Sequence, residues 1–272
     1  MNTSLDTCLG HLSLTPVKNM LLVSSIWIAG ALQSASGQAI YSADFEPDTY
    51  LNNTTLVGQD GWIAPPPLSP NAAVVTSEKP RQGKQTVRVL GASLESQEFI
   101  NEVSGGYYDA LGSYRRPVNH NTGNSQTLRI SAHVRLDGPG TATGNNFFSA
   151  GISGRAGTLS GGASVGEMFI SSDGHVYAVS GNDFVPTFLA SVPVTLGEWH
   201  SLAVVANFAT HTSAFYVDNV LLTTTAWDAS ETYTGVLLRG TLHAYTAPDN
   251  VTNKKADYAS TYDKFSINVT GR

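Results

Sequence analysis

From residue 40 onward, apolar and polar residues alternate in short runs and never settle into a helical period. The runs are rich in Val, Ile, Thr, Tyr and Phe and are broken by Gly, Asn, Asp and Pro, which is how strands and turns are punctuated. The alternation predicts strands over 40–46, 72–76, 85–91, 97–103, 127–136, 146–153, 165–171, 175–180, 184–190, 198–208, 212–218, 220–226, 233–246 and 262–270. Many strands without intervening helices make a sandwich or a barrel, so the fold class expected is all-β, a two-sheet antiparallel β-sandwich forming one domain over 40–272. The Pro-rich stretch 64–70 cannot join a central strand and is expected as a surface loop. Residues 104–126 and 246–260 read as long polar loops.

The clearest patterning runs from Glu198 to Thr225. One strand sets Leu202, Val204 and Ala206 on a single face, and a second ends in Val217-Asp218-Asn219-Val220. Asp-Asn supplies the left-handed residues of a tight hairpin. Gly197, Trp199, His200, Leu202, Val204, Tyr216, Val217, Asp218 and Leu221 together resemble the hairpin of concanavalin A-like, laminin G-type and pentraxin-type jelly rolls. Asn219 stands where those families usually have Gly. Asp44-Phe45-Glu46, Gly58-Gln59-Asp60-Gly61-Trp62 and Tyr262-Asp263-Lys264-Phe265 resemble the first and last strands of bacterial members. The resemblance implies a jelly roll. It leaves activity open, because that fold serves lectins, hydrolases, lyases and adhesion modules alike.

Two strands carry polar sets whose chemistry suits carbohydrate. Over 127–136, Leu128, Ile130, Ala132, Val134 and Leu136 alternate with Arg129, Ser131, His133 and Arg135. Over 233–245, Val236, Leu238, Gly240 and Leu242 alternate with Arg239, Thr241, His243 and Tyr245. His175 and Tyr177 alternate in the same way over 175–179. Successive side chains of a strand point to opposite faces, so each polar set shares one surface. Neighbouring strands would make Arg129, His133, Arg135, His175, Tyr177, Arg239, His243 and Tyr245 the lining of a polysaccharide groove. The alternative is the solvated outer face that antiparallel sheets routinely present. The expected function is a secreted, non-catalytic carbohydrate-binding or adhesion module.

A polysaccharide lyase acting on a uronate polymer is the second expectation. Jelly-roll alginate lyases abstract the proton with Tyr and His and neutralise the carboxylate with Arg and an amide; by that resemblance Arg129, His133, His243 and Tyr245 would be the catalytic candidates. The family's R-x-E-x-R pattern is broken, since Ser131 stands where Glu should be, and its Q-[IV]-H and Y-F-K-A-G motifs are absent. A retaining glycosidase needs two carboxylates about 5 Å apart, and Glu46-Pro47-Asp48 starts such a pattern without completing it. Gly162-Ala163-Ser164-Val165-Gly166 matches a nucleophile elbow in letters but precedes a strand rather than a helix. A structural surface protein without a sugar site is the third expectation.

Composition narrows the partners. Hydrophobic residues at 41% suffice for a core, while charged residues at 13% and a net charge of −6 leave no basic stripe for nucleic acid. Lys18, the apolar run Met20 to Leu32 and the small, polar QSASGQA have the order of a secretory signal peptide, residues 1–39. Cleavage is expected after Ala39, or alternatively after Gly37. The run is too short for a comfortable membrane span. Cys8 precedes it, so a mature exported protein would carry no cysteine. Asp44 and Glu46 in the first strand and Asp263 in the last are a candidate calcium set, if the two strands pair. Tyr107, Tyr108, Tyr114 and Trp227 are candidate sugar-stacking loop aromatics, whereas Trp62 is expected in the core.

Overall fold

The computed structural model describes residues 37–64, 72–91, 109–119, 126–139, 148–156, 163–180, 187–226, 237–246 and 257–271. Among these residues the regular structure is strand throughout, and every pairing is antiparallel. In chain order the strands are β1 (Gln38–Ala43), β2 (Thr54–Thr55), β3 (Ala73–Thr76), β4 (Thr86–Leu90), β5 (Asp109–Asn119), β6 (Thr127–Asp137), β7 (Phe148–Ala156) and β8 (Ala163–Ser171). They continue with β9 (His175–Ser180), β10 (Thr187–Pro193), β11 (His200–Asn207), β12 (Thr212–Val217), β13 (Val220–Ala226), β14 (Leu237–Thr246) and β15 (Ala259–Thr270).

They form two sheets. The nine-stranded sheet runs β13-β12-β11-β6-β15-β4-β3-β2, with β1 also on β15. The six-stranded sheet runs β10-β9-β8-β7-β14-β5. Their inner faces are the apolar rows that the alternation marks: Leu128, Ile130, Ala132, Val134, Leu136, Leu202 and Val204 on one side, Ile152, Met168, Ile170, Val176 and Ala178 on the other, all buried. The sheets meet tightly. The Ser213 hydroxyl of β12 donates to the Val165 carbonyl of β8, and a Cβ on Gly166 would lie 2.7 Å from the Phe215 ring. This is the expected two-sheet jelly roll.

The 217–220 hairpin forms as its sequence predicts, with Asp218 and Asn219 at φ of 50° and 65°. The first and last strands pair through Ala43↔Phe265 and Gln38↔Val269. Beside them Trp62 is fully buried, and its indole N–H donates to the Tyr41 hydroxyl at 3.0 Å. Tyr41 in turn donates to Asp60 at 2.8 Å. Arg116 lies 4.4 Å over the Tyr41 ring and tethers β5 to this corner.

The loop expected over 104–126 instead contains β5. Gly112, Pro117 and the pair Arg115-Arg116 break the alternation that marks a strand. Pro117 is tolerated because β5 is the outermost strand of its sheet, where a missing N–H breaks no ladder. Tyr114, expected on a loop rim, is fully buried in β5. The strand expected over 97–103, and Tyr107, Tyr108 and Trp227, lie outside the described residues, as does most of the segment 1–39.

Candidate functional site

The two polar strands belong to different sheets. β6 is central in the nine-stranded sheet, between β11 and β15, while β14 lies between β7 and β5 in the other. With the apolar rows facing inward, the row containing Arg129, His133 and Arg135 is on the outer face of one sheet. Arg239, His243 and Tyr245 stand in register with Arg155, Gly151 and Ser149 of β7 in the opposite sheet. The expected single groove is therefore not formed, and Arg129 and His133 share no surface with His243 and Tyr245. Alternation alone carries no information about which sheet a strand joins. His175 and Tyr177 of β9, by contrast, lie on the same sheet as β14, separated from it by β8 and β7. At about 4.8 Å per strand, that separation is about 14 Å.

Between these banks the outer row of the six-stranded sheet is made of small residues. Register sets Tyr245 against Ser149, His243 against Gly151, Thr241 against Ser153 and Arg239 against Arg155. Ser149, Ser153 and Ser171 are buried although their row faces away from the core. At Gly151 a Cβ would come within 2.5 Å of the Phe169 Cβ and strike the Met168 carbonyl, so no larger residue fits. The Ser149 hydroxyl is shielded from solvent without a hydrogen-bond partner, and orphaned buried hydroxyls are uncommon enough to require an explanation.

The far bank is aromatic. Phe169, Tyr177 and Phe188 pack with centroids 5.6 Å, 5.5 Å and 6.3 Å apart. Phe188, on edge strand β10, leaves 53% of its surface exposed. The Tyr177 hydroxyl donates to Asp173 at 2.6 Å. Burial, with the Asp173 bond and charge adding to it, pushes the phenol up to about 12, so it stays a donor. Asp173 also accepts the His175 backbone N–H at 3.1 Å. Glu167 of β8 stands half-buried in the same outer row.

The outer face of the nine-stranded sheet is largely satisfied by its own contacts. Arg135 bonds Asp137 at 2.8 Å and 2.9 Å, with Lys79 on the same carboxylate at 3.2 Å. The Ser131 and Ser266 hydroxyls bond at 2.9 Å, and the Asn268 amide donates to Ser266 at 3.1 Å. Arg129 lies 5.8 Å from the Tyr216 ring centroid.

Asp44, Glu46 and Asp263 do not gather as a calcium set. Among the described residues no three His, Cys, Asp or Glu side chains form a metal-holding group. Glu46 accepts the Lys84 N–H at 2.7 Å, and Asp263 accepts those of Gln82 at 3.2 Å and Lys264 at 2.8 Å. Asp44 accepts the Glu46 N–H at 3.4 Å, so all three carboxylates latch backbone. Burial, with the Glu46 charge adding to it, pushes Asp263 up to about 6.

Sequence reasoning missed Phe169, Phe188 and the Ser149-Gly151-Ser153 row. The available signal was the alternation of tiny residues along β7.

No protein-family model matches the chain, and no curated protein matches it. Solved structures do. An endo-1,3-β-glucanase from Streptomyces sioyaensis superposes with a TM-score of 0.56 at 11% identity, covering 86% of this chain and 97% of its own. A family 7 alginate lyase, A1-II′, in complex with substrate gives 0.45 at 11% identity over 72% and 80%. The Emp47p carbohydrate recognition domain gives 0.45 at 10% identity over 86% and 97%. Likeness to the glucanase at this identity shows the fold alone, a two-sheet jelly roll.

Proposed function

We propose that the protein is an exported, non-catalytic glycan-binding module whose site is the outer face of the six-stranded sheet. One observation carries the reading. A buried row of Ser149, Gly151 and Ser153, with an orphaned hydroxyl, lies between the Phe169-Tyr177-Phe188 bank and the Arg239, His243 and Tyr245 positions of β14. Sugar rings present C–H faces that stack on aromatics, and their rims present hydroxyls to polar side chains. The half-exposed Phe188 ring offers the stacking surface, and the buried Ser149 hydroxyl beside the bank is a polar group still without a partner.

Export rests on Lys18 and the apolar run Met20 to Leu32. β1 begins at Gln38, so cleavage after Gly37 leaves that strand whole, whereas cleavage after Ala39 removes its first two residues. Calcium has no place in this reading, because Glu46 and Asp263 direct their oxygens at backbone N–H groups.

The test is retention on a polysaccharide array, followed by incubation of each retained polymer with the protein. Retention without depolymerisation supports the module. Release of unsaturated products from a uronate polymer, abolished by Tyr245→Phe, replaces it with a lyase centred on His243 and Tyr245. No retention on any glycan leaves the structural surface protein.

A further inference from the structure

The segment Glu78-Lys79-Pro80-Arg81-Gln82-Gly83-Lys84 places three cations close together between β3 and β4. It is not a loose loop. Lys79 pairs with Asp137, Gln82 donates its backbone N–H to Asp263, and Lys84 donates its own to Glu46. Gly83, at φ of 78°, approaches the Glu46 carboxylate so closely that a Cβ would collide with it. The clamp fixes where Arg81 emerges, over the outer face of the nine-stranded sheet.

Beneath it β15 is bulged. Its register against β6 shifts between Asp263 and Ser266, and Lys264 adopts a φ of 50°. A non-glycine residue in the left-handed region costs about 1 kcal/mol, and such strain gathers at working sites. Asp263 stands opposite His133, whose Nδ1 is shielded from solvent and lacks a hydrogen-bond partner. Among the described residues, the side chains of Arg81 and Lys264 form no ion pair. The groups around His133 are Arg81 from the clamp, Asp263 and Lys264 from β15, and Ser201 from β11. Asp218, already bonded to His200 at 2.9 Å, completes them beyond β12, with Ser131 and Arg135 along β6 itself.

We propose that Arg81, Lys264 and His133 form an oxyanion site, taking a sulfate ester or carboxylate group on the face opposite the glycan site. Among the described residues neither cation is tied up in an ion pair, although Lys264 also acts on the neighbouring Asp263, and His133 supplies a ring nitrogen without a partner. Asp263 cannot fill the site, since both its oxygens are held by backbone amides inside the bulge. Burial first, then Arg81 and Lys264, push His133 down to about 4, against the opposing charge of Asp218. An arriving anion offsets those two cations and favours the imidazolium, so its binding strengthens as pH falls. The site does not depend on the glycan reading of the other face.

The experiment follows the His133 ring resonances by NMR across pH, in matched ionic strength, with sodium chloride, inorganic sulfate or dextran sulfate. Sulfate is expected to raise the His133 midpoint by about one unit, the size of a single close charge effect. His200 and His211 should stay within a tenth of that shift. The Arg81→Gln/Lys264→Gln variant should start from a higher midpoint and respond no more than the controls. A response to the polymer alone keeps the site and identifies its ligand as a polyanionic glycan. Equal responses at all three histidines, a response that survives in the double variant, or no response to either probe would overturn the proposal.

Discussion

The two outer faces of this sandwich start from the same sequence pattern and end as different surfaces. On the nine-stranded sheet, β6 turns Arg129, Ser131, His133 and Arg135 outward, and the neighbours answer three of the four: Ser266 for Ser131, Asp137 for Arg135, Tyr216 for Arg129, while the His133 Nδ1 stays without a partner. On the six-stranded sheet, β7 carries Ser149, Gly151 and Ser153 in alternation, and an aromatic bank stands to one side. A polar face whose groups already bond one another offers little to a neutral ligand. The six-stranded face instead presents a half-exposed aromatic ring, Phe188, beside a buried row of small residues.

The largest effect that separates the faces is expected at Gly151. Gly151→Val forces side-chain volume into Met168 and Phe169 and should cost about 3 kcal/mol of stability. Thermal unfolding measures this, together with loss of glycan retention. An unchanged midpoint would mean that the row is not closely packed.

Smaller, and more informative, is Phe188→Ala. Its ring is half exposed, so stability should move by no more than about 0.5 kcal/mol. Glycan affinity should fall roughly tenfold, as expected for one aromatic contact worth about 1.4 kcal/mol. The counterpart on the other face, Arg129→Ala, should leave glycan affinity within about twofold and stability within about 0.5 kcal/mol.

The smallest effect is in pH dependence, and it sharpens the description of the satisfied face. Asp263 titrates at about 6 when folded, above its ordinary 3.8. Its contribution is therefore greatest below 3.8 and is lost as pH rises through 6. His133 titrates at about 4, below its ordinary 6.5. Its contribution is present above 6.5 and is lost as pH falls through 4. The two trends oppose each other over nearly one window and flatten the profile. His133→Gln should leave stability falling as pH rises from 4 to 6, and Asp263→Asn should leave it rising from 4 to 6.5. Denaturant midpoints across that range measure both, and two variants with parallel slopes would show that the pair does not compensate.

The sequence made much of the fold legible because local rules govern it. Alternation located β6, β9, β11, β12 and β13 within a residue or two, and Asp218-Asn219 specified its own hairpin. β5 escaped because an edge strand tolerates Pro117 and Gly112, which a central strand would not. The site was half legible. Tyr177, His243 and Tyr245 could be read as outward, yet both outer faces of a sandwich produce the same alternation. What distinguishes them is strand order, and β6 lies beside β15 only through pairings such as Ile130↔Ile267, made far along the chain. The row of Ser149, Gly151 and Ser153 left almost no trace, since such small side chains give the pattern little to read.

The most direct test of the account is glycan retention by two paired variants, Tyr177→Ala/Phe188→Ala on the six-stranded face and Arg129→Ala/Tyr216→Ala on the nine-stranded face. Each should first be shown to be folded by its thermal unfolding midpoint. The account predicts that the first pair loses retention on the polymer that holds the wild type, while the second keeps it. Retention kept by the first pair and lost by the second would place the glycan on the other face and contradict the account.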